Sequence, residues 1–78
     1  MVTFKLIKIV DGVYHYEIYP DGKEEYVGTL VFNPETKVLK ERTNPPAPYD
    51  FDKWVSMAIN GLFDENGNYK ENGMVAWC

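Results

Sequence analysis

Few side chains in this sequence could do chemistry, and their spacing decides which of them could act together. The 78-residue chain holds one histidine, His15, one serine, Ser56, and one cysteine, Cys78. A general base needs a nucleophile or a substrate pocket within hydrogen-bond reach. His15 lies in a strand-like segment between Tyr14 and Tyr16, whereas Ser56 falls on the polar side of a helical segment, so no such pair is indicated. Cys78 and His15 stand far apart in the chain and offer too few ligands for a structural zinc. A lone cysteine also forms no internal disulfide.

Asp64, Asn66 and Asn68 have the first three spacings of a calcium-binding loop. The pattern then fails, because Tyr69 occupies the position that demands glycine and Val75 the one that demands a bidentate glutamate. A hairpin turn around Asn66-Gly67 is the better reading. The pairs Glu24-Glu25, Asp50/Asp52 and Asp64-Glu65 sit at turns or at a helix start, where solvation and helix-end electrostatics account for them. Glycines stand singly, never as a phosphate-cradling run between strand and helix. The sequence therefore points to no catalytic residue, no cofactor and no metal.

The elements that must carry these residues are easier to read. Val2–Val10 and Val13–Tyr19 flank Asp11-Gly12, the signal for a two-residue hairpin turn. Such a turn sets Val10 opposite Val13, Ile9 opposite Tyr14, Lys8 opposite His15 and Ile7 opposite Tyr16. Ile7, Ile9, Tyr14, Tyr16 and Ile18 then form a core face. Tyr19-Pro20-Asp21-Gly22 turns the chain into a third strand, Glu25–Phe32, with Tyr26, Gly28, Leu30 and Phe32 inward and Gly28 opposite Tyr14. Asn33-Pro34-Glu35-Thr36 permits a charged fourth strand through Lys37–Arg42, suited to an edge.

Prolines 45, 46 and 48 make residues 43–49 a stiff connector. A helix over 50–63 follows, with Asp50 as N-cap and Tyr49 stapled to Trp54. Its apolar stripe is Phe51, Trp54, Val55, Ala58, Ile59 and Leu62. Turns occupy 64–73, and Met74–Cys78 reads as a short terminal strand. The expected fold is a single α+β domain over 1–78: an antiparallel β-meander of three to four strands (1–42), one amphipathic helix packed on one face, and a short C-terminal strand.

Composition narrows the function classes. The net charge of −4 and pI near 4.8 oppose general affinity for phosphate backbones. No apolar run is long enough to span a bilayer, and the first residues lack a secretory pattern, so the expected setting is cytoplasmic with no membrane partner. Two features stand out as candidate surfaces. Phe4, Leu6, Val10, Val13, Tyr19, Val27 and Val31 make the second sheet face too apolar for free solvent, which marks a partner surface or homodimer seam. Lys37, Lys40 and Arg42 gather as a basic edge. The expected function is a small non-enzymatic interaction or accessory/regulatory module, acting on an unidentified protein partner or a second copy through an exposed sheet face or edge. Two alternatives are single-stranded nucleic-acid binding by Tyr14, Tyr16, Tyr19 and Tyr26, which the net acidity opposes, and acidic mimicry by residues 50–71 against a basic partner.

Overall fold

Asp11 and Gly12 both adopt positive φ, 51° and 78°, the turn geometry whose twist matches that of the flanking strands. In the computed structural model, which describes residues 1–36 and 38–76, this turn joins β1 (Val2–Val10) to β2 (Val13–Pro20). Val10 faces Val13, Ile9 faces Tyr14 and Lys8 faces His15, as the turn predicts. Then the ladder slips. A bulge between Leu6 and Lys8 absorbs Ile7, so Tyr16 pairs with Leu6 and Ile18 with Phe4.

Side chains alternate along a strand with period two, so one absorbed residue exchanges the faces of everything before it. Val2, Phe4 and Leu6 thereby join the face of Tyr14, Tyr16 and Ile18. This corrects the expected core on two counts. Phe4 is 2% exposed and Leu6 packs against the core, so neither belongs to a second-face partner surface. Ile7 and Ile9, expected inside, are instead 47% and 53% exposed.

Three further strands complete an antiparallel sheet of order β4-β3-β2-β1-β5, with β3 at Gly28–Asn33, β4 at Val38–Thr43 and β5 at Asn72–Val75. The fold is thus α+β, a meander with a short terminal strand and one helix packed on it. Residues 21–27 form a longer connection than the tight turn expected, and β3 begins at Gly28. Gly28, Leu30 and Phe32 stay inward while Tyr26 falls in the connection, and the register shifts, so Gly28 lies opposite Ile18 and Phe32 takes the place opposite Tyr14. Gly28 is required by close approach. A Cβ there would lie 2.8 Å from the Thr43 carbonyl oxygen, 2.9 Å from Ile18 and 3.0 Å from the buried Pro45.

The helix, α1 (Lys53–Asn60), starts at Asp52 rather than Asp50. Asp52 is held from two places: its carboxylate accepts a bond from Asn44 Nδ2 of the connector at 2.8 Å, and its carbonyl one from Arg42 Nη2 of β4 at 3.0 Å. Those ties leave Phe51 outside the helix and 59% exposed, against expectation. Tyr49 does pack edge-on to Trp54, with ring centroids 5.3 Å apart. Trp54, Val55 and Ala58 of the helix, with Leu62 just beyond it, bury against Val2, Phe4, Tyr16, Ile18 and Leu30.

The terminal strand lies earlier than expected, at 72–75, and pairs with β1; Trp77 and Cys78 fall outside the described residues. Its Gly73 sits opposite Phe4, where a Cβ would come within 2.8 Å of the ring. Before it, residues 63–69 close a small hairpin through a Phe63–Tyr69 bridge, with Gly67 at φ 80°. Asp64 Oδ1 accepts the N–H groups of Asn66 at 2.8 Å and Asn68 at 2.9 Å, so this acid organises the turn. Tyr69 then covers Phe32 and Tyr14 on the same face as the helix.

Gly28→Ala tests the tight seam between β2, β3 and the connector. Its methyl group has backbone on one side and buried side chains on the others, so urea unfolding should show a loss of about 1–3 kcal/mol. An unchanged midpoint would mean that Pro45 does not press on this strand.

Candidate functional site: the uncovered sheet face

A helix eight residues long can cover one face of a five-stranded sheet, and every buried side chain of the core belongs to that front face. The back face is built from cross-strand pairs on β1 and β2: Thr3 with Tyr19, Lys5 with Glu17, Lys8 with His15 and Val10 with Val13. Thr29 and Val31 of β3 continue it beside Glu17 and His15, and Glu41 and Thr43 of β4 lie beyond them. Among the described residues no segment packs over this surface.

The bulge also shapes the surface it exposes. By absorbing Ile7 it sets Ile7 and Lys8 together at the rim of an open groove of about 310 Å³. His15, Glu17, Thr29 and Val31 line the rest, with Tyr16 at the base. The groove combines aliphatic walls, Ile7 and Val31, with a lysine, an imidazole, a carboxylate and a hydroxyl. Along β2, the Tyr19 hydroxyl donates to Glu17 Oε1 at 2.7 Å, orienting that carboxylate. Burial, then the Glu17 bond and charge, push the Tyr19 phenol up to about 12. Tyr16 reaches about 12 as well, mainly through burial and then through Tyr14, Tyr69 and Glu71; its hydroxyl donates to the Lys70 carbonyl at 3.0 Å.

The sequence-derived candidates divide among several places. Val10, Val13, Tyr19 and Val31 are on the back face, while Val27 is exposed in the connection ahead of β3. Phe4 and Leu6 are in the core, as described. Of the basic-edge residues, only Lys40 and Arg42 are described. Lys40 is the residue absorbed by a second bulge in β4, Arg42 pairs with Leu30 on the front and holds Asp52, and Lys37 lies outside the described residues. Of the four tyrosines proposed as a base-stacking platform, Tyr14 and Tyr16 face the helix side and Tyr26 packs on Tyr49 at 5.0 Å. Only Tyr19 is on the back face. Of the acids in the 50–71 segment, Asp52 and Asp64 are engaged in local hydrogen bonds.

His15 and Ser56 are on opposite sides of the sheet, and no cluster of three metal-ligating side chains occurs among the described residues. No helix among them is long and apolar enough to cross a membrane. Of the groove residues only Val31 belongs to the candidate surface read from the sequence; Lys8, Glu17 and Thr29 are not singled out there, and Ile7 is expected in the core. Ile7 carries no local signal of a bulge, and the tight turn next to it favours an uninterrupted ladder. Comparison with known protein families, curated proteins and solved structures returns no match for this chain.

Burial raises three phenols, Tyr16, Tyr19 and Tyr69, and the two that reach about 12 fix a pH dependence. In the unfolded chain they ionise near 10, in the folded one near 12, so their contribution to stability is intact below pH 10 and declines as pH rises through 12. Urea melts should be flat in this respect up to pH 10 and weaken above it, and Tyr16→Phe combined with Tyr19→Phe should reduce the alkaline decline to the part that Tyr69 contributes. A decline of the same size in the double variant would show that these phenols are not its source.

Proposed function

We propose that this protein is a non-enzymatic interaction module that binds a protein partner across the back face of its sheet. The observation that carries this reading is an ordered sheet face that keeps aliphatic side chains in solvent. Ile7 and Val10 are 47% and 45% exposed there, beside Val13, Tyr19 and Val31. Apolar surface grouped in this way on a small chain is an unfavourable exposure that a partner would relieve. The groove around His15 supplies a polar centre that orients whatever docks, in the pattern of an apolar patch with a few placed hydrogen-bonding groups.

The separation of rings and cations favours protein over nucleic acid as that partner. Base stacking needs aromatic faces next to basic groups. Here Tyr14 and Tyr16 lie beneath the front cover, and Arg42 holds the start of the helix.

A photo-crosslinking residue placed at Val31 in the native host should give discrete protein adducts that vanish when Ile7 is also changed to Glu. The same probe at Ser56, on the exposed side of the helix, should give none. Equal adducts from both positions, or none from Val31, would contradict docking on the back face.

A further inference from the structure

The outer edge of β1 is only half covered. β5 pairs with Val2–Lys5, and Leu6 donates its N–H to the Glu71 carbonyl. Upstream of Glu71 the chain is no longer on that edge: Lys70 donates to the Leu62 carbonyl at 2.7 Å, and Tyr69 lies on Phe32 and Tyr14. Ile7–Val10 therefore has β2 on one side and, among the described residues, no strand on the other. The turn dictates which groups point outward. In a two-residue hairpin the closing pair, Val10 and Val13, exchanges both hydrogen bonds, so alternation aims the N–H and C=O of Ile9 away from β2.

The two ends of the sheet are treated differently. β4, the opposite edge, carries Lys40, Glu41 and Arg42 and a bulge, all of which discourage pairing with another strand. The open part of β1 has three β-branched residues and one lysine, with Ile9 53% exposed.

We propose that Ile7–Val10 pairs antiparallel with the same segment of a second copy, forming a two-fold dimer whose sheet runs through the interface. Outward backbone groups on Ile9 accept only an extended strand, and a two-fold axis at Ile9 satisfies them reciprocally with the N–H and C=O of Ile9 in the second copy. Charge selects this arrangement. Antiparallel self-pairing carries Lys8 of each copy toward the Asp11 end of the other and sets Ile9 against Ile9, whereas parallel pairing would stack Lys8 on Lys8 and Asp11 on Asp11. The Ile7 bulge limits the paired segment, so association is reversible and concentration-dependent. Ile7 and Val10 belong to both this edge and the back face proposed above, but the pairing centres on Ile9, which stands on the Tyr14 side of the sheet, so Ile9→Lys tests the dimer without touching the back face.

Sedimentation equilibrium of the full chain from micromolar to millimolar concentration should show a monomer–dimer equilibrium. Ile9→Lys should weaken it by about tenfold or more, with the circular dichroism spectrum retained, while Leu39→Lys on the opposite edge leaves it unchanged. Hydrogen exchange gives a readout free of substitution: the Ile9 amide should become protected as concentration rises. A chain that stays monomeric throughout, a dimer indifferent to Ile9→Lys, or an Ile9 amide whose exchange ignores concentration would overturn the proposal.

Discussion

The bulge at Ile7 is the constraint on which the rest of this structure depends. With an uninterrupted ladder, Val2, Phe4 and Leu6 would lie on the solvent side, and the helix would meet only half a core. Absorbing one residue turns all three inward while keeping Lys8, Ile9 and Val10 in the register that the turn demands. Phe4 then becomes the central packing element. It meets Tyr16 edge-on at 6.0 Å, Gly73 of β5 lacks the side chain that would compete for its space, and Gly61 at the helix end lies against the ring while leaving room for Val75. Sheet, helix and terminal strand converge on one ring.

That arrangement leaves the molecule two-sided. On the front, polar groups serve structure: Arg42 and Asn44 hold the helix start, Asp64 shapes a turn, and the Tyr16 hydroxyl meets the Lys70 carbonyl. On the back, aliphatic residues and the Lys8–His15–Glu17 group have no covering segment among the described residues. A domain this small buries a modest fraction of its surface, and one short helix cannot serve both faces. Binding a protein across the back face relieves that imbalance, which is why the proposed activity is placed there.

Much of this was legible in the sequence, for local reasons. Asp11-Gly12, the alternation of β2 and β3, the connector prolines and the Trp54–Val55–Ala58 stripe each report on a few neighbouring residues, and each announces the type of its element, although β3 and the helix start later than expected. What the sequence hid was set by long-range contacts. The bulge is stabilised by burying Phe4 and Leu6, and no residue type near Ile7 announces it. The helix start moved to Asp52 because Arg42 and Asn44, distant in sequence, bind there. β5 found β1 through the fit of Gly73 to Phe4, which composition does not reveal. The candidate surface shared this fate: its β2 and β3 residues held their face, while Phe4 and Leu6 exchanged theirs with Ile7.

The exchange of faces between Phe4 and Ile7 is open to one direct comparison. Phe4→Ala and Ile7→Ala are measured side by side by urea unfolding, since the two registers predict opposite rankings. With the bulge, Phe4→Ala should cost about 3–5 kcal/mol and Ile7→Ala less than about 1 kcal/mol. A large loss at Ile7 with a small one at Phe4 would mean that the ladder runs uninterrupted and that the first half of β1 presents its other face to the helix.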